Sequence, residues 1–177
     1  GGELELLPYI RDNSFYRVET YGEKALNTSM TQNFQGVSGY FSLTDGNVAA
    51  YLKELELLNQ KTASRFDGLD GRTILDTLAG VKYFLTTDEA AVPCGYSPVQ
   101  KMDMGAHKYY LFRNDCALPL GYTYENYILK EDYDRLSALE KQNVLLHAAV
   151  LDQNTDYARK AALDTDPFIR EIPVKAI

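Results

Sequence analysis

TILDTLAGVKYFLT, residues 73–86, decides the fold. Ile74, Leu75 and Leu78 recur at helical spacing after Thr73, and Gly80 is the residue with which helices commonly end. Val81–Thr86 follows at once as a short run of aliphatic, aromatic and β-branched side chains, the pattern of a largely buried strand. A short helix leading straight into such a strand is an α/β element. This strand is expected at the centre of its sheet.

Working outward, Pro93, Gly95 and Pro98 mark turns. Tyr96–Met102 and Lys108–Arg113 read as the two strands of a hairpin, with Gly105 turning the chain at 103–106, nearer a sheet edge. Asn114-Asp115 opens another turn. Residues 118–128 are mixed, with Tyr122 and Tyr124 in extended chain and Tyr127 a further candidate for it. Ser137 and Glu140 form an S-x-x-E capping box before an apolar run. That helix is expected to continue to about Leu151, with Leu139, Leu145, Leu146 and Val150 facing inward and His147 within it. The polar stretch 152–166 has room for one more short helix. Upstream, SFYRVET (14–20) alternates like a strand, with Gly22 breaking it. Asp45 or Asn47 can cap a helix carrying Val48, Tyr51, Leu52, Leu55 and Leu58 on one face. RFDGLDG (65–71) reads as a loop, and residues 3–8 are weakly patterned.

These signals place the chain in the α/β (mixed α+β) class: a single two- or three-layer domain over 1–177 with a central mixed sheet and flanking helices. Usual proportions suggest about five or six strands and roughly three or four helices. A chain of 177 residues is large enough for a proper core. The net charge of -7 makes nucleic acid and anionic membrane surface poor partners for the bulk of the surface. Fourteen Tyr and no Trp suit either strands or half-wet contact surfaces, and both readings stay open.

Local chemistry is sparse. Cys94 and Cys116 are too few for a disulfide scaffold, and their pairing depends on an oxidising compartment and on distance. No CxxC or Cys/His cluster is present, so neither metal nor cofactor is called for. Asp152, Asn154 and Asp156 copy the start of a calcium loop, but Tyr157 and Leu163 stand where it needs Gly and Glu. There is no G-x-S-x-G, no G-x-G-x-x-G and no Walker A sequence. His107, in the hairpin turn, has no local support as a partner of Cys116. Among the carboxylates only Glu125, close to several tyrosines, draws notice, with a plain surface role the simpler account. No run approaches the about 18 apolar residues of a membrane span, and no signal peptide is visible. The opening Gly1-Gly2 and the alternating EIPVKAI (171–177) read as the ends of a piece cut from a longer chain.

The stretch NTSMTQNFQGVSGYFSL (27–43) is unusually long for a connection, and long ordered connections are often functional. It is polar and rich in small residues, yet carries Met30, Phe34, Tyr40 and Phe41, with one helical turn expected near Ser29–Phe34.

Six phrases then stand in one order: FYRVE (15–19), GVSGYFSL (36–43), LAGVKYFLT (78–86), VPCGYSPV (92–99), LPLGYTYENYI (118–128) and LSALEKQNVLLHAAVL (136–151). In this the chain resembles the extracytoplasmic region of the YfhO family of bacterial membrane proteins, over most of residues 14–151. The resemblance implies a polytopic parent similar to the GT-C glycosyltransferases, which take sugars from polyprenyl phosphates. It further implies a role in glycosylating envelope polymers such as lipoteichoic acid. This fragment would then lie on the extracytoplasmic face of the cell membrane, without catalytic activity of its own. Its partners would be its own transmembrane region and a polyprenyl-phosphate sugar or envelope glycopolymer. In that setting Asn27, Asn33 and Ser42 offer hydrogen bonds to sugar hydroxyls, while Tyr40 and Phe41 offer ring faces. Alternatively, Phe34, Tyr40 and Phe41 anchor the loop, and the polar groups satisfy its backbone. Two rival functions remain: a carbohydrate- or protein-binding scaffold of the cell surface, and a hydrolase using Glu125 or another carboxylate.

Overall fold

The computed structural model describes residues 2–21, 27–57, 64–105, 107–156 and 159–160. The chain divides into two compact units, Gly1–Tyr122 and Thr123–Ile177.

Strands β1 (Arg17–Tyr21), β2 (Ser38–Tyr40), β3 (Arg65–Asp67), β4 (Val81–Thr86), β5 (Tyr96–Met104) and β6 (His107–Asn114) belong to the first unit. So do helices α1 (Thr28–Gln32), α2 (Gly46–Glu54) and α3 (Thr73–Leu78). Its main sheet runs β1-β4-β6-β5, with β1 parallel to β4 and the other pairs antiparallel. The mixed sheet confirms the α/β reading, and β4 lies inside it while β5 forms an edge. Among the described residues the sheet has four strands rather than five or six, because β2 and β3 pair with each other in a separate ribbon.

Side chains alternate across a strand, so the main sheet has two distinct faces. Val18, Tyr83, Leu85, Tyr109 and Leu111 fill one, packed under Leu6. Leu6 lies on an opening 3-10 helix, Gly2–Tyr9, that the weak pattern of residues 3–8 did not disclose. Glu19, Phe84, Tyr96 and Asn114 fall to the other face, under α3. Gly80 ends α3 as expected, its N–H on the Thr77 carbonyl.

Asp45 caps α2 by accepting from the Asn47 N–H at 2.8 Å. Leu52 and Leu55 are buried from that helix, but Val48 is exposed: it sits in the first turn, before the helix meets the core. Leu58 and Gly22 lie outside the described residues, and β1 continues to Tyr21. The expected loop 65–71 begins instead with β3, which pairs antiparallel with β2. Three residues are too few to display a strand's alternation, so only the partner reveals it.

The second unit contains β7 (Asn126–Leu129), α4 (Lys130–Tyr133), α5 (Ala138–Val144), β8 (Ala148–Leu151) and β9 (Arg159–Lys160). Its strands run parallel in the order β8-β7-β9. Ile128, Tyr133, Val144 and Ala148 form its core. The capping box forms: Ser137 N–H donates to Glu140 Oε2 at 2.8 Å, and Glu140 N–H to Ser137 Oγ at 3.4 Å. The helix then stops at Val144, not near Leu151. Ala148–Leu151 pairs with β7 instead, since a parallel strand needs a crossover and α4–α5 supply it. Leu139 is consequently 65 % exposed, and His147 sits in the exposed turn before β8. Leu145 and Val150 do pack on the core. Of the stretch 152–166, residues 152–156 form bends and irregular chain, and the remainder lies outside the described residues except Lys160 and the backbone of Arg159. The alternating stretch 171–177 lies outside them too. Among the described residues no helix is long and apolar enough to cross a membrane.

Candidate functional site

The long connection 27–43 docks along the outer edge of β1. Val18 N–H donates to the Gln35 carbonyl at 2.8 Å, and Val18 forms a parallel bridge with Gly36. Phe34 packs against the main core. Asn27 has a left-handed backbone (φ 61°) and turns its amide onto β2. Its Nδ2 donates to the Tyr40 carbonyl at 3.0 Å, and its Oδ1 accepts from the Tyr40 N–H at 2.7 Å. One side chain thus satisfies a strand residue on both sides, tying the start of the connection to its far end. Asn33 (φ 56°) ends α1, its N–H on the Ser29 carbonyl and its side chain exposed at the far end of the helix from Asn27. Asparagine tolerates this left-handed backbone better than most residues.

Between α1 and β1 lies a cavity of about 20 Å³ lined by Thr20, Ser29, Phe34 and Val37. That is room for one water, so this cavity admits no sugar, and the connection's ring faces lie instead on the open surface. There, Tyr40 is 46 % exposed and Phe41 41 %, followed by exposed Ser42 and by Leu43 at 97 %. Phe41 rests against Phe66 of β3 with ring centroids 6.3 Å apart. The structure therefore brings Asn27 to Tyr40 and sets Tyr40, Phe41 and Ser42 side by side, while Asn33 stands apart.

A second constellation escaped the sequence reading. Glu19 on β1 and Asp76 on α3 are 5 % and 0 % exposed, and their carboxyls hydrogen-bond one another. Tyr96 of β5 donates its hydroxyl to Asp76 Oδ2 at 3.0 Å, and the Leu69 N–H donates to Glu19 Oε1 at 3.3 Å. Glu19 Oε2 and Asp76 Oδ1 find no other donor. A proton held between the two carboxyls satisfies both. Burial is the main cause pushing Glu19 well above the usual carboxylate range, with Asp76's charge adding to it. Burial likewise pushes Asp76 up to about 6, against the hydrogen bonds from Glu19 and Tyr96. Beside them Asn114 donates to Thr77 Oγ1 at 3.1 Å and to the Val81 carbonyl at 3.2 Å. A charged residue inside each of two apolar patterns, FYRVE and TILDTL, was the signal available. What pairs them is long-range.

This pair lies in the core and its members touch, whereas glycosidase carboxyls stand apart across a cleft. Both side chains are buried, out of reach of a sugar. Glu125 is an exposed residue of the second unit. His107 opens β6 while Cys116 follows its other end, so they do not meet. Cys94 and Cys116 are exposed free thiols. Among the described residues no group of three or more His, Cys, Asp and Glu side chains is placed to hold a metal ion.

The family model described as bacterial membrane protein YfhO matches residues 5–170. The chain belongs to the YfhO family. No curated protein and no solved structure matches it. The YfhO match runs through both units, and it takes in the 27–43 connection, the Glu19–Asp76 pair and all six phrases.

Proposed function

We propose that this YfhO-family chain is an extracytoplasmic accessory region of a membrane glycosyltransferase, one piece of a longer polytopic protein that positions substrate and does not catalyse alone. The observation that carries the reading is the open stripe Tyr40–Phe41–Ser42–Leu43, held out from the fold by the Asn27 clamp and the Phe66 ring. Ring faces suit the C–H surface of a sugar, and an adjacent hydroxyl and backbone groups suit its hydroxyls. The exposed leucine suits the first methylenes of a polyprenyl chain. Membership of a bacterial membrane protein family supports a place at the membrane, with the protein's own transmembrane region as partner. The substrate is then a polyprenyl-phosphate sugar or an envelope glycopolymer of the lipoteichoic acid kind.

The test is a double substitution, Tyr40→Ala with Phe41→Ala, in the full-length protein and in this chain. Both rings are half exposed, so the variant chain should melt near wild type, less about 1 kcal/mol for the Phe41–Phe66 contact. Envelope glycosylation should be lost. Intact glycosylation with a folded variant refutes the reading and leaves a cell-surface scaffold. NMR titration with glycopolymer fragments should shift resonances of residues 38–43.

A further inference from the structure

Residues 68–71 form a turn in which Gly68 (φ +76°), Asp70 (φ +59°) and Gly71 (φ +64°) all take left-handed backbone. The turn closes over Glu19. A Cβ on Gly68 would stand 2.0 Å from Glu19 Oε1, and the next residue, Leu69, donates its N–H to that same oxygen. The turn is also the direct continuation of β3, whose Phe66 and Arg65 pair with Gly39 and Tyr40 of β2. Phe41 N–H extends that ribbon by donating to the Ser64 carbonyl at 2.9 Å.

We propose that Glu19 and Asp76 share a single proton, and that this proton latches the 68–71 turn so that external pH sets how firmly the β2–β3 ribbon is held. The latch stands whether or not the ribbon reads sugars. The groups facing the pair are Tyr96 from β5 and Asp70 from the turn itself, with the amide of Asn114 from β6 on the Tyr96 hydroxyl. The charges that bear most on Glu19 are thus carboxylates, Asp76 and Asp70. Arg17 of β1 donates to the Ala79 carbonyl, Arg65 of β3 pairs with Asp67, and Lys82 of β4 pairs with Asp12. A proton suits the pair better than a metal ion. The two oxygens left without donors fall far short of the roughly six to eight that calcium takes.

The direction follows from the chemistry. Both carboxyls bind a proton more tightly folded than unfolded, where they release it near pH 4. Below that pH both carboxyls are protonated and the stabilisation is complete. It declines as pH rises through about 6, Asp76's folded value, where the pair comes to hold the single shared proton, and the rest is lost toward the higher value of Glu19. Loss of the shared proton leaves two buried negative charges in contact. Gly68 and Leu69 lie directly against the Glu19 carboxyl, so the turn is the element that yields when that carboxyl takes up water.

Amide hydrogen-exchange protection of the 177-residue chain, followed from pH 5 to 9, tests this. In wild type, protection at Leu69 and at the β2–β3 amides should fall by up to tenfold per pH unit above pH 6, while β6 amides hold. In Glu19→Gln the amide donates permanently to Asp76, so the dependence should vanish. Carbon-13 carboxyl shifts of the wild-type chain report the proton directly, even where a variant folds poorly. Both carboxyls titrating near pH 4 would overturn the proposal. So would ribbon protection that ignores pH, or a pair stabilised by millimolar calcium and released by chelator.

Discussion

Gly68→Ala is the sharpest probe of the packing around the buried acids. Its alanine faces two separate penalties. A left-handed backbone with a Cβ costs about 1–2 kcal/mol. The new methyl would also stand 2.0 Å from Glu19 Oε1 and 3.0 Å from its Cδ, so the carboxyl must move. That movement breaks the bond from Leu69 and strands buried polar groups, a further ~1–3 kcal/mol. Gly71→Ala is the internal control: its φ is +64°, and its Cβ would meet only Pro93 Cγ at 3.8 Å, an ordinary contact. It should lose the backbone term alone. Urea unfolding, read by far-ultraviolet circular dichroism, should therefore place Gly68→Ala below Gly71→Ala by ~1–3 kcal/mol. In a Glu19→Ala background the gap should close, since the clash partner is gone. Equal losses in the two variants, or a gap that survives removal of Glu19, would refute the claim that Gly68 exists to admit the carboxyl.

Two further expectations concern other elements. Ser137→Ala removes the cap of α5 and should lower the second unit's stability by about 1 kcal/mol, whereas Leu139→Ala, on the exposed side, should change it by under about 0.5 kcal/mol in the same urea titration. Asp12 accepts from Lys82 at 2.6 Å, from Tyr83 Oη at 3.1 Å and from Ser14, and Lys82 above all holds its carboxyl well below the usual range. A lowered value stabilises above the unfolded carboxylate's pH of about 4 and is lost as pH falls, so Asp12→Asn should flatten the acid limb of a thermal-melt pH series. An acid limb unchanged in Asp12→Asn would show that the Lys82 pair is idle.

Much of the architecture was legible residue by residue. The α3–β4 passage, the β5–β6 hairpin at Gly105, the Asp45 cap and the Ser137–Glu140 box are signals carried within a few positions, by periodicity, capping and turn chemistry. The family too was legible, from six phrases in order. Of the candidate contact residues, Tyr40, Phe41 and Ser42 adjoin in the chain and stay adjoined on the surface. That polar groups of the loop satisfy its backbone was one of two open readings; that Asn27 does so for Tyr40 was not legible, because this partner is thirteen residues away and is backbone.

By itself, then, the sequence determined the mixed α/β class, the elements with strong local periods and the family. Tertiary structure alone decided what depends on a distant partner. Ala148–Leu151 carries a helix-compatible composition and becomes a strand because β7 presents unpaired backbone groups. Arg65–Asp67 becomes a strand because β2 lies beside it. Leu6 is buried because the sheet offers its apolar face. Glu19 and Asp76, fifty-seven positions apart, become a proton-sharing pair only when α3 closes over β1 and removes them from water. Local free-energy differences between helix, strand and turn are small, so wherever a partner supplies hydrogen bonds or burial, the partner wins.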